Sequence, residues 1–289
     1  MRDFEQILAP ISLEAFAAEY YEERPLFVSR NLPHYYDDLV TIEEIDRYLA
    51  VAEIPSGDIR LVRSGDELDP QTFATDEGNV DKEKIFQKFN EGYAIIIYSH
   101  DRHSEGMSRL RRLVEGACHA YARPNIFLSP PHSQGFGPHW DNHDSFILQF
   151  EGSKEWTFYD RRDPLPTAAD IFNGEWLPVP PTRKVTLCAG DLLYVPNGYV
   201  HEVRSTDSVS GHVTLGFSVH TYADLLRSMI EEIDRAPEFR DSLPFAFGDV
   251  GVDPAPFRDR IAAFFARADV AAGVRRLYEK YLSTRRPDA

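Results

Sequence analysis

Residues 125–219 carry seven short β-rich runs, NIFLSP, DSFILQF, EWTFYD, RKVTLCAG, DLLYVPNG, VHEVRS and HVTLGFSV, parted by Gly, Pro, Asn and Asp. No long helical pattern lies between them. Many short strands at this spacing predict an antiparallel sandwich or barrel. That one feature sets the frame into which the rest of the chain must fit.

The first ninety-odd residues read as mixed. SLEAFAAEYYEE (12–23) has a serine cap and helical apolar spacing that ends before Pro25. LFVSR (26–30), DIRLVRSG (58–65) and YAIIIYS (93–99) read as strands. TIEEIDRYLA (41–50), VDKEKIFQKFNEG (80–92) and MSRLRRLVEGACHAYA (107–122) read as helices, with Thr41 and Glu44 in capping-box relation. After Ser218 the pattern is helical again, in YADLLRSMIEEIDRA, PFRDRIAAFFARA and VAAGVRRLYEKYLS, separated by Pro237, Pro244 and the Gly-rich FGDVGVDPAP. The expected organisation is N-terminal α/β elements over 1–92, a barrel over 93–220, and a helical region over 221–289 that caps the barrel or makes a dimer. The fold class is therefore mainly β.

Composition narrows the partners. A formal charge of −16 gives a nucleic-acid backbone nothing to bind unless a locally basic patch exists, and RLRR (109–112) and VRRLYEK (274–280) read as solvated helix faces. The field suits a basic protein or peptide. No run of 18 apolar residues occurs, and the N-terminus MRDFEQILAPISLEAF lacks the basic then apolar regions of a signal peptide, so a cytoplasmic protein without a membrane span is expected. Cys118 and Cys188 lack CxxC spacing and read as buried free thiols.

Chemistry concentrates in PHWDNHD (138–144). On a strand, His139 and Asp141 would share one face and Trp140 the other. An imidazole and a carboxylate projected together are two of the three ligands of the 2-His-1-carboxylate arrangement used for non-haem Fe(II), which leaves coordination positions open. GDLLYVPNGYVHEV (190–203) supplies the third candidate, His201, after a Gly-Asp turn, an apolar strand and a Pro-Asn-Gly turn. HxD alone is weak; with the later histidine it becomes a strong signal. His143 shares parity with Asp141 and could compete, but a role beside the ligands or toward substrate is favoured. His212, in GHVTLGF, reads as a core histidine hydrogen-bonded near the site. His34, His100, His103, His119, His132 and His220 default to surface or satisfied core positions.

These residues resemble a known family. NIFLSPPHSQGFGPHWDNHDSFILQFEGSKEWTFYD (125–160), AGDLLYVPNGYVHEV (189–203) and GHVTLGFS (211–218) are similar to the JmjC-domain oxygenases of the cupin superfamily, in the cupin-4 or ribosomal oxygenase group. EYYEERPLFVSR (19–30) and the helical tail also resemble that group. The chain's end at Ala289 leaves little room for the winged-helix domain such proteins usually carry.

The resemblance implies a double-stranded β-helix, Fe(II) held by His139, Asp141 and His201, 2-oxoglutarate as cosubstrate with O2, and a homodimer. Lys154, in EGSKEW, matches the basic residue for the cosubstrate's distal carboxylate, and an inward lysine among apolar neighbours needs an anion in any case. Asn125 and His212 fall on the cosubstrate side, and Phe127, Gln134, Asn142, His143 and Gly216 on the substrate side. Phe127 stands where the family tends to have Tyr, and Gly216 where it tends to have Ser, so two hydroxyls are missing from the pocket. The expected activity is hydroxylation of an amino-acid side chain in a protein or peptide, a ribosomal protein among the candidates. The rival readings are hydroxylation of a free amino acid or small metabolite, a Zn or Mn cupin isomerase or hydrolase, and an inactive peptide-binding barrel.

Overall fold

The computed structural model describes residues 1–174, 179–242 and 255–284. Its helices are α1 (Glu5–Leu8), α2 (Leu13–Glu19), α3 (Ile42–Val51), α4 (Lys82–Asn90), α5 (Glu105–Cys118), α6 (Tyr222–Ile230), α7 (Ala255–Arg267) and α8 (Val270–Thr284). Its strands are β1 (Leu26–Val28), β2 (Ile59–Arg63), β3 (Asp66–Glu67), β4 (Ala94–Ile97), β5 (Tyr121–Ser129), β6 (Asp144–Glu151), β7 (Ser153–Arg161), β8 (Arg183–Cys188), β9 (Leu192–Val195), β10 (Tyr199–Ser205) and β11 (Ser210–Ser218).

All pairings are antiparallel, in an eight-stranded sheet of order β1-β9-β6-β11-β5-β4-β2-β3 and a three-stranded sheet of order β10-β7-β8. Strand parity explains how the two meet. On β11, Val213, Leu215 and Phe217 alternate with His212, Thr214 and Gly216; on β6, Phe146, Leu148 and Phe150 alternate with Ser145, Ile147 and Gln149. The first set of each strand joins the main core with Phe4, Ile7, Leu8 and Phe16 from the N-terminal segment. Phe146 stacks on Phe217 at 5.2 Å and meets Phe4 edge-on at 5.8 Å. The second set faces the small sheet, where Ile147, Leu193 and Val195 pack against Trp156, Phe158 and Leu187. The mainly β fold with helices at both ends is as expected.

Several element ends differ from the periodicity. The helix expected over 12–23 stops at Glu19, because the chain turns through Glu22 at φ 58° to bring Leu26 beside Tyr194. The helix expected over 107–122 stops at Cys118, where His119 takes φ 50° and Tyr121 already pairs with Ser218. Pairing to β11 overrides helical propensity there. Thr41 caps α3 through the Glu44 amide at 3.2 Å. Strands β1, β2 and β3 lie within the large sheet, which joins the N-terminal elements to it directly. Both cysteines are free, Cys118 half-buried but Cys188 exposed at the end of an edge strand, which corrects its reading as a buried thiol. Gly190 turns the chain into β9 at φ 91°, where a Cβ would stand 2.0 Å from the Leu32 carbonyl oxygen.

The chain divides into compact units at 1–219 and 220–288. In the second, Thr221 and Asp224 form a capping box at the start of α6. α8 approaches α6 at Gly273, where a Cβ would meet Leu225 and Met229 side-chain carbons at 2.9 and 3.1 Å. Tyr222, Leu226 and Ile230, spaced four apart on α6, stay 92%, 45% and 42% exposed. Pro244 and residues 247–254 of the expected separator, and the chain end at Ala289, lie outside the described residues.

Candidate active site

The large sheet and the small sheet enclose a cavity of about 890 Å³ lined by inward residues of both. His139 and Asp141 do not sit on a regular strand, which corrects the expectation from parity. They occupy the irregular segment before β6, which isolated antiparallel bridges tie to β10 at Gln134–Arg204 and at His139–His201. The His139 amide donates to the His201 carbonyl at 3.0 Å and the His201 amide to the His139 carbonyl at 2.8 Å. This bridge sets the two imidazoles side by side, with ring centroids 4.5 Å apart.

Ligand atoms of His139, Asp141 and His201 all lie within 4.8 Å of one another, and among the described residues they form the one such group of metal-ligating type. His143 is outside it. Backbone carbonyls fix the ring orientations, with His139 Nδ1 2.8 Å from the Gly137 oxygen and His201 Nδ1 3.0 Å from the Tyr199 oxygen. An Nδ1–H donating to each carbonyl leaves both Nε2 lone pairs for a metal. Burial, reinforced by the His139 charge, lowers the His201 imidazole to about 4. Desolvation pushes the Asp141 carboxyl up, but the charges of His143, His139 and His201 outweigh it and hold it below the usual carboxylate range. Neutral imidazoles and an ionised carboxylate are the protonation states in which these side chains ligate a cation.

Deeper in the cavity Lys154 is 4% exposed, and its Nζ lies 3.1 Å from His212 Nδ1. Burial lowers the amine to about 7, and burial followed by the Lys154 charge lowers the His212 imidazole well below its ordinary value. Phe127 stacks on His212 at 4.8 Å and 7°, and Trp156 meets its ring at 72°. Nearby, Asn125 Oδ1, Ser145 Oγ and Trp156 Nε1 are buried cavity-wall atoms without a hydrogen-bond partner. A buried cation with no carboxylate among the described residues beside it, ringed by unmet donors and acceptors, fits a small carboxylate. A keto acid spanning from that pocket to the histidine-aspartate cluster would satisfy both ends.

Not every expected substrate-side residue faces this space. Gln134 is absent from the cavity wall, and its amide donates to Glu202 at 2.8 Å. Gly216 is not a wall residue either: it lies behind His143, where a Cβ would stand 2.5 Å from Nε2. Asn142 and His143 do line the cavity. So does Trp140, which strand parity had turned the other way; freed from strand geometry, its ring meets Phe172 edge-on at 5.9 Å. Phe172, Ile171 and Asp170, from the loop after β7, carried no sequence signal because nothing in their spacing links them to the cavity. His100 also departs from expectation: it is 1% exposed, neither ring nitrogen makes a hydrogen bond, Nε2 lies 3.9 Å from Glu44 Oε1, and burial lowers it to about 4.

Comparison with known proteins bears on the fold and on the domain the chain carries. A JmjC domain model matches residues 98–225. The bifunctional lysine-specific demethylase and histidyl-hydroxylase NO66 of Drosophila erecta is 28% identical over 97% of this chain and 44% of its own length. The protein of that name from Aedes aegypti is 32% identical over 77% of this chain and 36% of its own length. The chain thus spans less than half of these relatives. A structure of the Escherichia coli ribosomal oxygenase YcfD superposes with a TM-score of 0.58 at 18% identity, covering 96% of this chain and 72% of that one. Another, in complex with cobalt and 2-oxoglutarate, superposes with a TM-score of 0.56 at 18% identity over 90% of this chain and 68% of that one. At such identities the superpositions speak for the shared fold. The chain carries a JmjC domain over residues 98–225, is similar in sequence to the NO66 proteins, and shares its fold with YcfD.

Proposed function

We propose that the chain is an Fe(II)- and 2-oxoglutarate-dependent hydroxylase acting on an amino-acid side chain of a protein or peptide. The observation that carries this reading is the pairing, in one cavity, of a His139-Asp141-His201 cluster with a buried Lys154 that has no carboxylate partner among the described residues. His139, Asp141 and His201 hold the iron, Lys154 takes the distal carboxylate of 2-oxoglutarate, and Asn125, Trp156 and Ser145 supply polar contacts around it. When bound, iron and cosubstrate supply the redox chemistry: O2 oxidises 2-oxoglutarate to succinate and CO2, and its second atom enters a substrate C–H bond.

The protein's own contribution is positioning. The backbone bridge between His139 and His201 holds the two imidazoles at fixed separation. Phe127, Trp156 and Val203 line the cavity, and a charge-assisted contact at the buried Lys154 is stronger than one in open water. No acid or base is needed at the carbon that reacts, so the lack of a catalytic triad in the cavity takes nothing away.

The substrate is a polypeptide of basic character, for which the −16 charge of the chain is the support. The likeness to YcfD, a ribosomal oxygenase, makes a ribosomal protein the first class to test. The chain acts in the cytoplasm, binds no nucleic acid directly, and forms a homodimer through the exposed apolar stripe of α6. No helix among the described residues is long and apolar enough to cross a membrane. A succinate-release screen against ribosomal proteins, short basic peptides and free amino acids, followed by mass spectrometry for one added oxygen, tests the activity. Turnover confined to the polypeptide pools supports the reading; turnover of free amino acids alone overturns its substrate class.

A further inference from the structure

Asp144 lies outside the cavity wall, yet its carboxylate reaches the turn on which two of the three cluster residues depend. It opens β6 and is 1% exposed. Its Oδ1 accepts the Asn197 amide at 2.7 Å, and its Oδ2 accepts the Tyr194 hydroxyl at 3.0 Å. Asn197 is the centre of the Pro-Asn-Gly turn between β9 and β10. The next amide, Gly198, donates to the Asp141 carbonyl at 3.0 Å. The residue after it, Tyr199, offers its carbonyl to His201 Nδ1 at 3.0 Å, and His201 in turn exchanges both backbone bonds with His139. One buried carboxylate thus holds the turn whose atoms meet Asp141 and His201 and, through the bridge, His139.

We infer that Asp144 is a positioning residue for the metal cluster: through the Asn197 amide it sets the Asp141 backbone and the His201 ring in one geometry. The inference rests on the reading of His139, Asp141 and His201 as metal ligands and adds to it a residue that is no ligand. A turn displaced at Asn197 would carry the Asp141 carbonyl and the His201 ring with it, and a site of this kind tolerates only about 0.5 Å of misplacement. Two other bonds hold the turn, Arg161 Nε to the Asn197 carbonyl at 3.0 Å and Asn197 Nδ2 to the Pro166 carbonyl at 3.0 Å. Both act on other atoms of Asn197 and do not replace the acceptor for its backbone N–H. The Oδ2 bond belongs to β9, because the Tyr194 hydroxyl that makes it also accepts the Glu22 amide at 3.0 Å. The two carboxylate oxygens therefore have separable roles, Oδ1 toward the cluster and Oδ2 toward the core.

Cobalt(II) titration of the full chain tests this, with affinity read by chelator competition and site geometry by the visible ligand-field bands. D144S and D144L both remove the acceptor for the Asn197 amide, one leaving space and the other filling it. Each should bind cobalt about tenfold or more weakly, the loss expected when the group behind a metal ligand is removed, and with altered bands. D144N keeps an Oδ1 that accepts from Asn197, and Y194F loses only the bond to β9. Both should match wild type in bands and affinity, whatever their melting temperatures. A second measurement needs no variant. Zinc binding to the wild type should slow hydrogen exchange at the Asn197 amide, since a turn that favours the metal is favoured by it in return. Wild-type affinity and bands in a folded D144S or D144L, an equal change in Y194F, or an Asn197 amide that ignores zinc overturns the inference and leaves the metal assignment standing. A wild type that binds cobalt no better than H139A overturns both.

Discussion

Lys154 Nζ stands 3.1 Å from His212 Nδ1, each residue less than 5% exposed, with no carboxylate among the described residues acting on either. Leu187 and Ser205, the residues opposite Lys154 on the flanking strands, bring no charge. A buried amine resting on a neutral imidazole is an unfinished ion pair, and the missing member is an anion. Substituting Lys154 by alanine should therefore weaken 2-oxoglutarate binding to the manganese-loaded protein by about 1–3 kcal/mol, read by calorimetry. The pH dependence has a definite sign. Burial lowers the amine to about 7, and the carboxylate prefers the ammonium form, so affinity should fall as pH rises from 7 to 9. In K154A that fall should be absent. Unchanged affinity in the variant would move the anchor elsewhere.

Asp144 gives a second pH signature, in stability. It is 1% exposed, its Oδ1 accepts the Asn197 amide at 2.7 Å and its Oδ2 the Tyr194 hydroxyl at 3.0 Å. Burial, followed by the negative charge of Glu22, raises the carboxyl to about 7. A folded value above the unfolded one means the native state holds a proton that the unfolded chain releases. Its stabilising effect is complete below the ordinary aspartate range near 4 and is lost as pH rises through 7. Urea unfolding of wild type and D144N from pH 5 to 8 should show the difference shifting toward the variant with rising pH. A gap that is constant across the range would contradict the assignment.

The α6 stripe predicts assembly. Tyr222, Leu226 and Ile230 leave more apolar surface open than an isolated surface helix needs. Sedimentation equilibrium at micromolar concentration should give a dimer of the 33.0 kDa chain, and L226E with I230E should give the monomer. A wild type that sediments as a 33.0 kDa species would remove the dimer.

How much of this was legible in the sequence follows from what each residue's position depends on. The β-rich runs and their inward lysine were readable because strand alternation is local, and Lys154 falls on the inner face of β7 by parity alone. The cluster of His139, Asp141 and His201 was readable from residue type and order. Its backbone was not: the HxD segment is bridged to His201, a contact across 62 positions that no local pattern encodes. His119 shows the opposite error, where helical spacing continued past the point at which β11 captures the chain. Gly216 looked like a lost hydroxyl, and only the placement of His143 reveals it as the space that ring needs. The residues around Phe172 were invisible for a similar reason, since a loop's position is set by what it folds onto and not by its own period.

The central claim is that His139, Asp141 and His201 hold one iron. Anaerobic iron(II) binding with 2-oxoglutarate present, quantified by elemental analysis after desalting, addresses it most directly. Wild type should retain one iron per chain, H139A, D141A and H201A should each lose it, and H143A should keep it. Retention of full iron by any one of the first three variants, or a loss in H143A equal to theirs, would contradict the assignment.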